Sequence, residues 1–266
     1  MARLSSRWLL WRLPALVGAA AALVFATGFW LALKGTLGEP IGEPPPLPVS
    51  PKALPRRGGE RFLLVLGDSL ARGTGDESGR GWATDVFDAF RRRGPARMAN
   101  LGVNGAESQD VRAVVATPNV RTLAASADLI LVSSGGNDLS HALPRDLRSP
   151  AGAVASVEKA RDAYTANLRA ILKDLREANP RCPIYVIGLY DPFGMQGPEG
   201  RLGRSVILSW NNLAQETALG FEDVHVVPTF DLFDGRPDRL AVDRFHPNRK
   251  GYALIAERVV ELLPEQ

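Results

Sequence analysis

Apolar residues recur along the chain in two patterns. Apolar runs of strand length stand at Phe62–Leu66, Ala125–Ser133, Ile184–Gly188 and Val224–Val227, with a weaker run at Arg97–Val103. Between them, Trp82–Arg93, Ala155–Asn179, Ser205–Leu219 and Gly251–Leu263 carry apolar residues three and four apart, as at Ala163, Leu168, Ile171, Leu172 and Leu175, which predicts amphipathic helices. This alternation predicts an α/β fold, a parallel sheet covered by helices on both faces. The run FLLVL has no polar position because a central parallel strand is buried on both sides. No internal repeat is found.

Upstream the pattern changes. Residues 13–33 contain no charged side chain, and about 20 apolar residues suffice to cross a bilayer as a helix. Arg3, Arg7 and Arg12 precede this segment and only Lys34 follows closely, which predicts a cytoplasmic segment at 1–12 and an exported remainder. A cleaved signal peptide ending near Val24-Phe25-Ala26 is the alternative, and it exports the same domain. Residues 34–60 are rich in proline and predict a semi-rigid extended spacer, leaving 61–266 as the folded domain.

Composition narrows the function. Of 266 residues, 45% are hydrophobic and 23% charged, enough apolar material for one ordinary domain plus an appendage. Lys and Arg number 32 against 29 Asp and Glu, and no basic tract lies in the body, so nucleic acid is not an expected partner. The single cysteine, Cys182, cannot form an intramolecular disulfide, and its place before the run PIYVIG predicts a buried thiol.

In open parallel sheets ligands bind at the carboxyl ends of the strands. The first strand ends in Gly-Asp-Ser at 67–69, the second in NLGVNGAES at 100–108 and the third in SSGGND at 133–138, so Ser69, Gly105 and Asn137 are predicted neighbours. An ester hydrolase needs a nucleophile, a base and donors for an oxyanion. Glycine lets a backbone N–H approach a substrate, and an Asn amide adds a neutral donor. Taken singly, each motif also reads as a turn or a helix cap.

Three histidines are available as base. His225 lies in a predicted strand, where a buried structural role is expected. His141 is one turn beyond Asn137 and is a candidate substrate contact; neither has an obvious orienting acid. His246 has one, because Asp243 stands three residues before it and Pro247 keeps the pair out of a helix. Such an Asp can hold the imidazole in one tautomer while the other nitrogen faces a serine. A surface salt bridge is the plainer reading of the same pair.

Together these segments resemble, in order, the SGNH hydrolases, often called the GDSL esterase and lipase family. Gly67-Asp68-Ser69-Leu70 is similar to the first block, Asn100 to Gly105 to the second, Gly135-Gly136-Asn137-Asp138 to the third, and Asp243 to His246 to the block carrying acid and base. The resemblance implies a three-layer α/β/α sandwich with a flavodoxin-like parallel sheet. It further implies Ser69, His246 and Asp243 as catalytic triad, with the N–H groups of Ser69 and Gly105 and the Asn137 side chain as oxyanion hole. No metal and no organic cofactor are implied.

Asp68, His141, Tyr190, Phe193 and Met195 are the candidate substrate contacts. The last three lie in a glycine-rich loop, Gly188 to Ser205, that matches no family block and reads equally well as plain connection. The expected activity is hydrolysis of carboxylic esters by an exported, membrane-tethered enzyme. The tether points to O-acetyl groups of cell-envelope glycans, removed or transferred. Lysophospholipase or thioesterase activity and a noncatalytic glycan- or protein-binding module remain open. Nucleotide binding lacks its glycine signatures after the first strand.

Overall fold

Five parallel strands, β1 (Arg61–Gly67), β2 (Ala96–Gly102), β3 (Leu129–Ser133), β4 (Ile184–Ile187) and β5 (Val224–Val227), pair in the order β2-β1-β3-β4-β5. This is the flavodoxin-like order, and the chain reverses direction across the sheet between β1 and β3. The structure, a computed structural model, describes residues 59–142, 150–192, 194 and 197–264, with Val24 and Thr27. Contacts divide the chain into Met1–Lys52 and Ala53–Gln266, and the strands belong to the second unit. The predicted span at 13–33, apart from Val24 and Thr27, and the spacer up to residue 58 lie outside the described residues. Among the described residues no helix is long and apolar enough to cross a membrane.

β1 shows why its sequence is apolar throughout. Phe62, Leu64 and Leu66 point into one core, Leu63 and Val65 into another, and all five are fully buried. The first core is closed by helices α3 (Ser108–Val115), α4 (Pro118–Ala125), α6 (Pro150–Ala178) and α7 (Gly197–Ala218). The second is closed by α2 (Gly81–Arg91) and α9 (Arg249–Leu262), which pack on each other. The expected three layers are therefore present, with sheet residues alternating between two apolar cores. Shorter helices α1 (Ser69–Arg72), α5 (Gly136–Ala142) and α8 (Phe230–Phe233) follow β1, β3 and β5.

Several sequence expectations shift. The run Ala125–Ser133 is a strand only from Leu129, because Thr117 and Pro118 start α4 and its last turn closes through Ser126 N–H to Leu123 O at 3.0 Å. Ala163 faces outward and the adjacent Tyr164 fills the core, stacked on Trp210 with ring centroids 5.3 Å apart. The predicted loop from Gly188 to Ser205 is shortened because α7 begins at Gly197; packing against α6 overrides the roughly 1 kcal/mol per-residue helix penalty of its glycines. His225 does lie in β5, but at the sheet edge, where its side chain is 51% exposed and meets Asp223 at 2.9 Å. Cys182 is buried as expected, and desolvation pushes its thiol up to about 12.

The tightest backbone approach in the sheet is at Gly67, where φ is +139° and a Cβ would stand 2.2 Å from Ser133 O and 2.4 Å from its Oγ. Gly67→Ala is expected to cost roughly 3 kcal/mol of stability through this overlap and the strained backbone. Urea unfolding would show it as a lower midpoint; an unchanged midpoint would mean that β1 and β3 separate there easily.

Candidate active site

The turn after β1 presents Ser69. Asp68 caps α1, its Oδ1 accepting the Leu70 N–H at 2.9 Å and the Ser133 hydroxyl at 2.6 Å. The Ser133 Oγ in turn accepts N–H groups from Asp68 at 3.3 Å and Ala71 at 3.2 Å, so one hydroxyl at the end of β3 anchors the whole turn. Gly73, left-handed at φ +84°, ends α1 and returns its N–H to Ser69 O and Leu70 O. On the far side, Asn100 Nδ2 donates to Ala71 O at 2.7 Å and Trp82 Nε1 to Leu70 O at 2.8 Å.

A second loop, between β5 and α9, brings in Asp243 and His246. Arg244 adopts φ +54°, folding the chain back so that Asp243 Oδ1 accepts the N–H groups of Phe245 at 2.9 Å and His246 at 3.0 Å. The other carboxylate oxygen meets His246 Nδ1 at 2.6 Å, and His246 Nε2 lies 2.9 Å from Ser69 Oγ. Burial pushes the Asp243 carboxyl up, but the hydrogen bonds from His246 and Phe245 outweigh it and hold the group below its ordinary value. An ionised Asp243 fixes the imidazole with its proton on Nδ1, leaving Nε2 free to accept. Asn248 caps α9 behind this loop, accepting the Gly251 N–H at 3.1 Å and donating to Asp238 O and Leu240 O, each at 2.9 Å.

The remaining expected donors sit on two linked loops. Asn137, in the first turn of α5, donates from Nδ2 to Ala106 O at 2.8 Å, next to Gly105. Asp138 is buried and joins the same loops, accepting the Ser108 N–H at 2.9 Å and the Ser108 hydroxyl. Gly105 is left-handed at φ +75° with open space where a Cβ would be.

A cleft of about 70 Å3 opens beside Ser69, His246 and Asn137, and its walls are mainly apolar: Leu139, Leu189, Tyr190, Ile207 and Phe245 among them. Tyr190 was expected here; its hydroxyl donates to Phe245 O at 2.8 Å, fastening the cleft wall to the His246 loop, and burial raises its pKa well above the ordinary value. Phe193 and Met195 lie outside the described residues. His141 does not line the cleft: its exposed ring turns to Glu107, with Nδ1 at 2.6 Å from Oε1, an acid separated from it by 34 positions. Asp68 borders the cleft, but its carboxylate is engaged inward and is not offered to a substrate. Ile207 carried no sequence signal beyond helical spacing, since only the approach of α7 to the cleft gives it a role. Among the described residues, no group of three His, Cys, Asp or Glu side chains is placed to hold a metal ion.

A model of the GDSL-like lipase/acylhydrolase family matches residues 65–254. The protein YpmR of Bacillus subtilis is 28% identical over 210 residues, 77% of this chain and 82% of the relative. The lipase Lip_vut3 from a goat rumen metagenome superposes with a TM-score of 0.67 at 23% identity, over 75% of this chain and 95% of that one. An acetylxylan esterase, Axe2 of Geobacillus stearothermophilus, superposes with a TM-score of 0.58 at 19% identity, over 76% and 93%. At these identities the two solved structures speak to the fold.

Burial raises the Asp68 carboxyl above its ordinary value, against the hydrogen bonds from Ser133 and Leu70. A carboxyl raised in the folded state contributes stability at low pH and loses that contribution as pH rises through the folded value. Asp68→Asn removes the charge while keeping an acceptor oxygen, so its melting temperature relative to wild type should be more favourable near pH 8 than near pH 4. Its KM for a small ester should stay within about twofold, as expected for a removed interaction outside substrate binding. A tenfold rise in KM without a pH-dependent stability difference would return Asp68 to the substrate contacts.

Proposed function

The chain belongs to the GDSL-like lipase/acylhydrolase family, and from that premise we propose that it is a serine esterase in which Ser69 is the nucleophile, His246 the general base and Asp243 the orienting acid. The observation that carries this reading is the continuous hydrogen-bond chain from Asp243 through His246 to Ser69 beside an apolar cleft.

Ser69 Oγ attacks the acyl carbon while its proton passes to His246 Nε2. The carbonyl oxygen gains the negative charge and is held by the N–H groups of Ser69 and Gly105 and by Asn137 Nδ2, which has a second N–H beyond the one given to Ala106. The C–O bond to the alcohol breaks, the alcohol leaves with the proton from His246, and Ser69 keeps the acyl group. Water then gives a proton to His246 and adds to the acyl carbon; the acid departs as Ser69 Oγ recovers that proton.

The cleft favours a short acyl group. About 70 Å3 compares with the roughly 10–15 Å3 that one water requires, which is room for an acetyl or propionyl group between its walls. Residues 13–33 as an uncleaved anchor and 34–60 as spacer would hold the domain outside the cell, facing envelope glycans. The description of Axe2 as an acetylxylan esterase supports an O-acetylated glycan as the first natural substrate to try. Lip_vut3, described as a lipase, keeps lipid esters as the second.

With purified full-length chain in mild detergent, Ser69→Ala and His246→Ala should each lower kcat on p-nitrophenyl acetate by about a thousandfold or more. A fluorophosphonate should label wild type and not Ser69→Ala. Turnover surviving in Ser69→Ala would dispose of the serine mechanism. For chain length, kcat/KM should fall at least about tenfold from acetate to decanoate, the order expected when apolar groups find no pocket. Ile207→Ala, which removes side-chain volume from the cleft wall, should move the optimum toward longer acyl groups; a wild-type preference for decanoate would overturn the short-acyl reading.

A further inference from the structure

The turn that follows α1 has an organisation that the ester chemistry above does not use. Asp76 lies in it, seven residues beyond Ser69, with its side chain 0% exposed. Its Oδ1 accepts the Ser78 N–H at 2.8 Å and the Ser78 hydroxyl at 2.6 Å, and its Oδ2 accepts the Gly81 N–H at 2.9 Å. The fourth partner is distant in sequence: Arg249 Nη1, 3.2 Å away, from the first turn of α9 and three residues beyond His246. Burial alone would raise the Asp76 carboxyl, but these four donors hold it below its ordinary value, so the group is an anion facing a guanidinium. The other arm of Arg249 reaches Asp85 on α2 at 2.5 Å.

The same turn presses on the back of His246. A Cβ on Gly75 would stand 2.6 Å from His246 Cβ and 2.8 Å from Pro247 O, so the two backbones touch with no side chain between them. Next to Gly75, Thr74 O accepts the Tyr252 hydroxyl of α9 at 2.6 Å, and Thr74 Oγ1 donates to Asn104 in the loop after β2 at 2.8 Å. The His246 loop is also braced by Tyr190 through Phe245 O. It thus has two braces, and the one attached to Ser69's own segment is closed by the Asp76–Arg249 contact.

We propose that Asp76 and Arg249 form a positioning pair, which clamps the segment leaving the nucleophile to the segment leaving the base and thereby holds His246 Nε2 within hydrogen-bond reach of Ser69 Oγ. The inference rests on reading Ser69 and His246 as nucleophile and base. Neither member touches the substrate; both act through the place of the imidazole. A bidentate guanidinium bridging two carboxylates suits this task because it fixes direction as well as distance.

The test uses the full-length chain on p-nitrophenyl acetate, with Asp76→Asn, Arg249→Met and Arg249→Lys made in wild type and again in His246→Ala supplied with imidazole, the Ser69→Ala rate being subtracted throughout. In the wild-type background Asp76→Asn and Arg249→Met should lower kcat about 10- to 100-fold with KM within about twofold, the signature of an effect on the chemical step, and Arg249→Lys should recover part of the loss. In the His246→Ala background, where free imidazole needs no positioning, the same changes should leave the rescued rate within about twofold. An unchanged kcat in the wild-type background, or an equal loss in both backgrounds, would overturn the proposal. Should Asp76→Asn fail to fold, Arg249→Met decides alone, since it leaves the Asp76 turn its three local donors. Turnover that survives Ser69→Ala would instead count against the esterase reading itself.

Discussion

The close approach of β1 to β3 at Gly67 and Ser133 is the constraint on which the rest of the site depends. Because no side chain separates the two strands there, the Ser133 hydroxyl reaches Asp68 directly and gathers the N–H groups of Asp68 and Ala71 as well. A buried carboxyl is costly unless it is hydrogen-bonded, and Asp68 Oδ1 takes its partners from Leu70, in the turn that carries Ser69, and from Ser133 at the end of β3. The partners that one buried carboxyl needs and the aim of one hydroxyl are supplied by the same few hydrogen bonds.

That logic extends along the carboxyl edge of the sheet. Asp138 ties the loop after β3 to Ser108 in the loop after β2, Asn137 reinforces the tie through Ala106, and Tyr190 attaches the cleft wall to the His246 loop. Most polar side chains at this edge hold other loops. What lines the cleft is correspondingly sparse in polar groups: Ser69, His246, Asn137 and Ser140, with the inward-turned Asp68, against apolar walls. Such an environment keeps water few and makes each remaining dipole count for more than it would in solvent.

What could be read in the sequence was whatever depends on near neighbours. The five strands, the long helices and the Asp243–His246 pair all follow from patterns a few residues wide, and the loops at 67–69, 100–108 and 133–138 could be assembled because a parallel sheet must deliver them to one edge. The misreadings come from choices made by distant partners. Glu107 captures His141 across 34 positions, Ser133 captures Asp68 across 65, and the edge position of β5 leaves His225 in solvent. Helix α3 carries little sequence signal although Glu107 and Asp110 form a reciprocal cap, because a cap written with two acids is less recognisable than one written with Ser and Glu.

The hydrogen bond between Ser69 and His246 closes a loop of 177 positions and joins the first helix of the domain to the residues just before the last. Such long-range closure comes late in folding, since local elements form before distant ones meet. Until α9 has docked on α2, Ser69 has no His246 beside it, whatever the state of the sheet. The Ser69–His246 contact is therefore a property of the completed fold and of no smaller part of the chain.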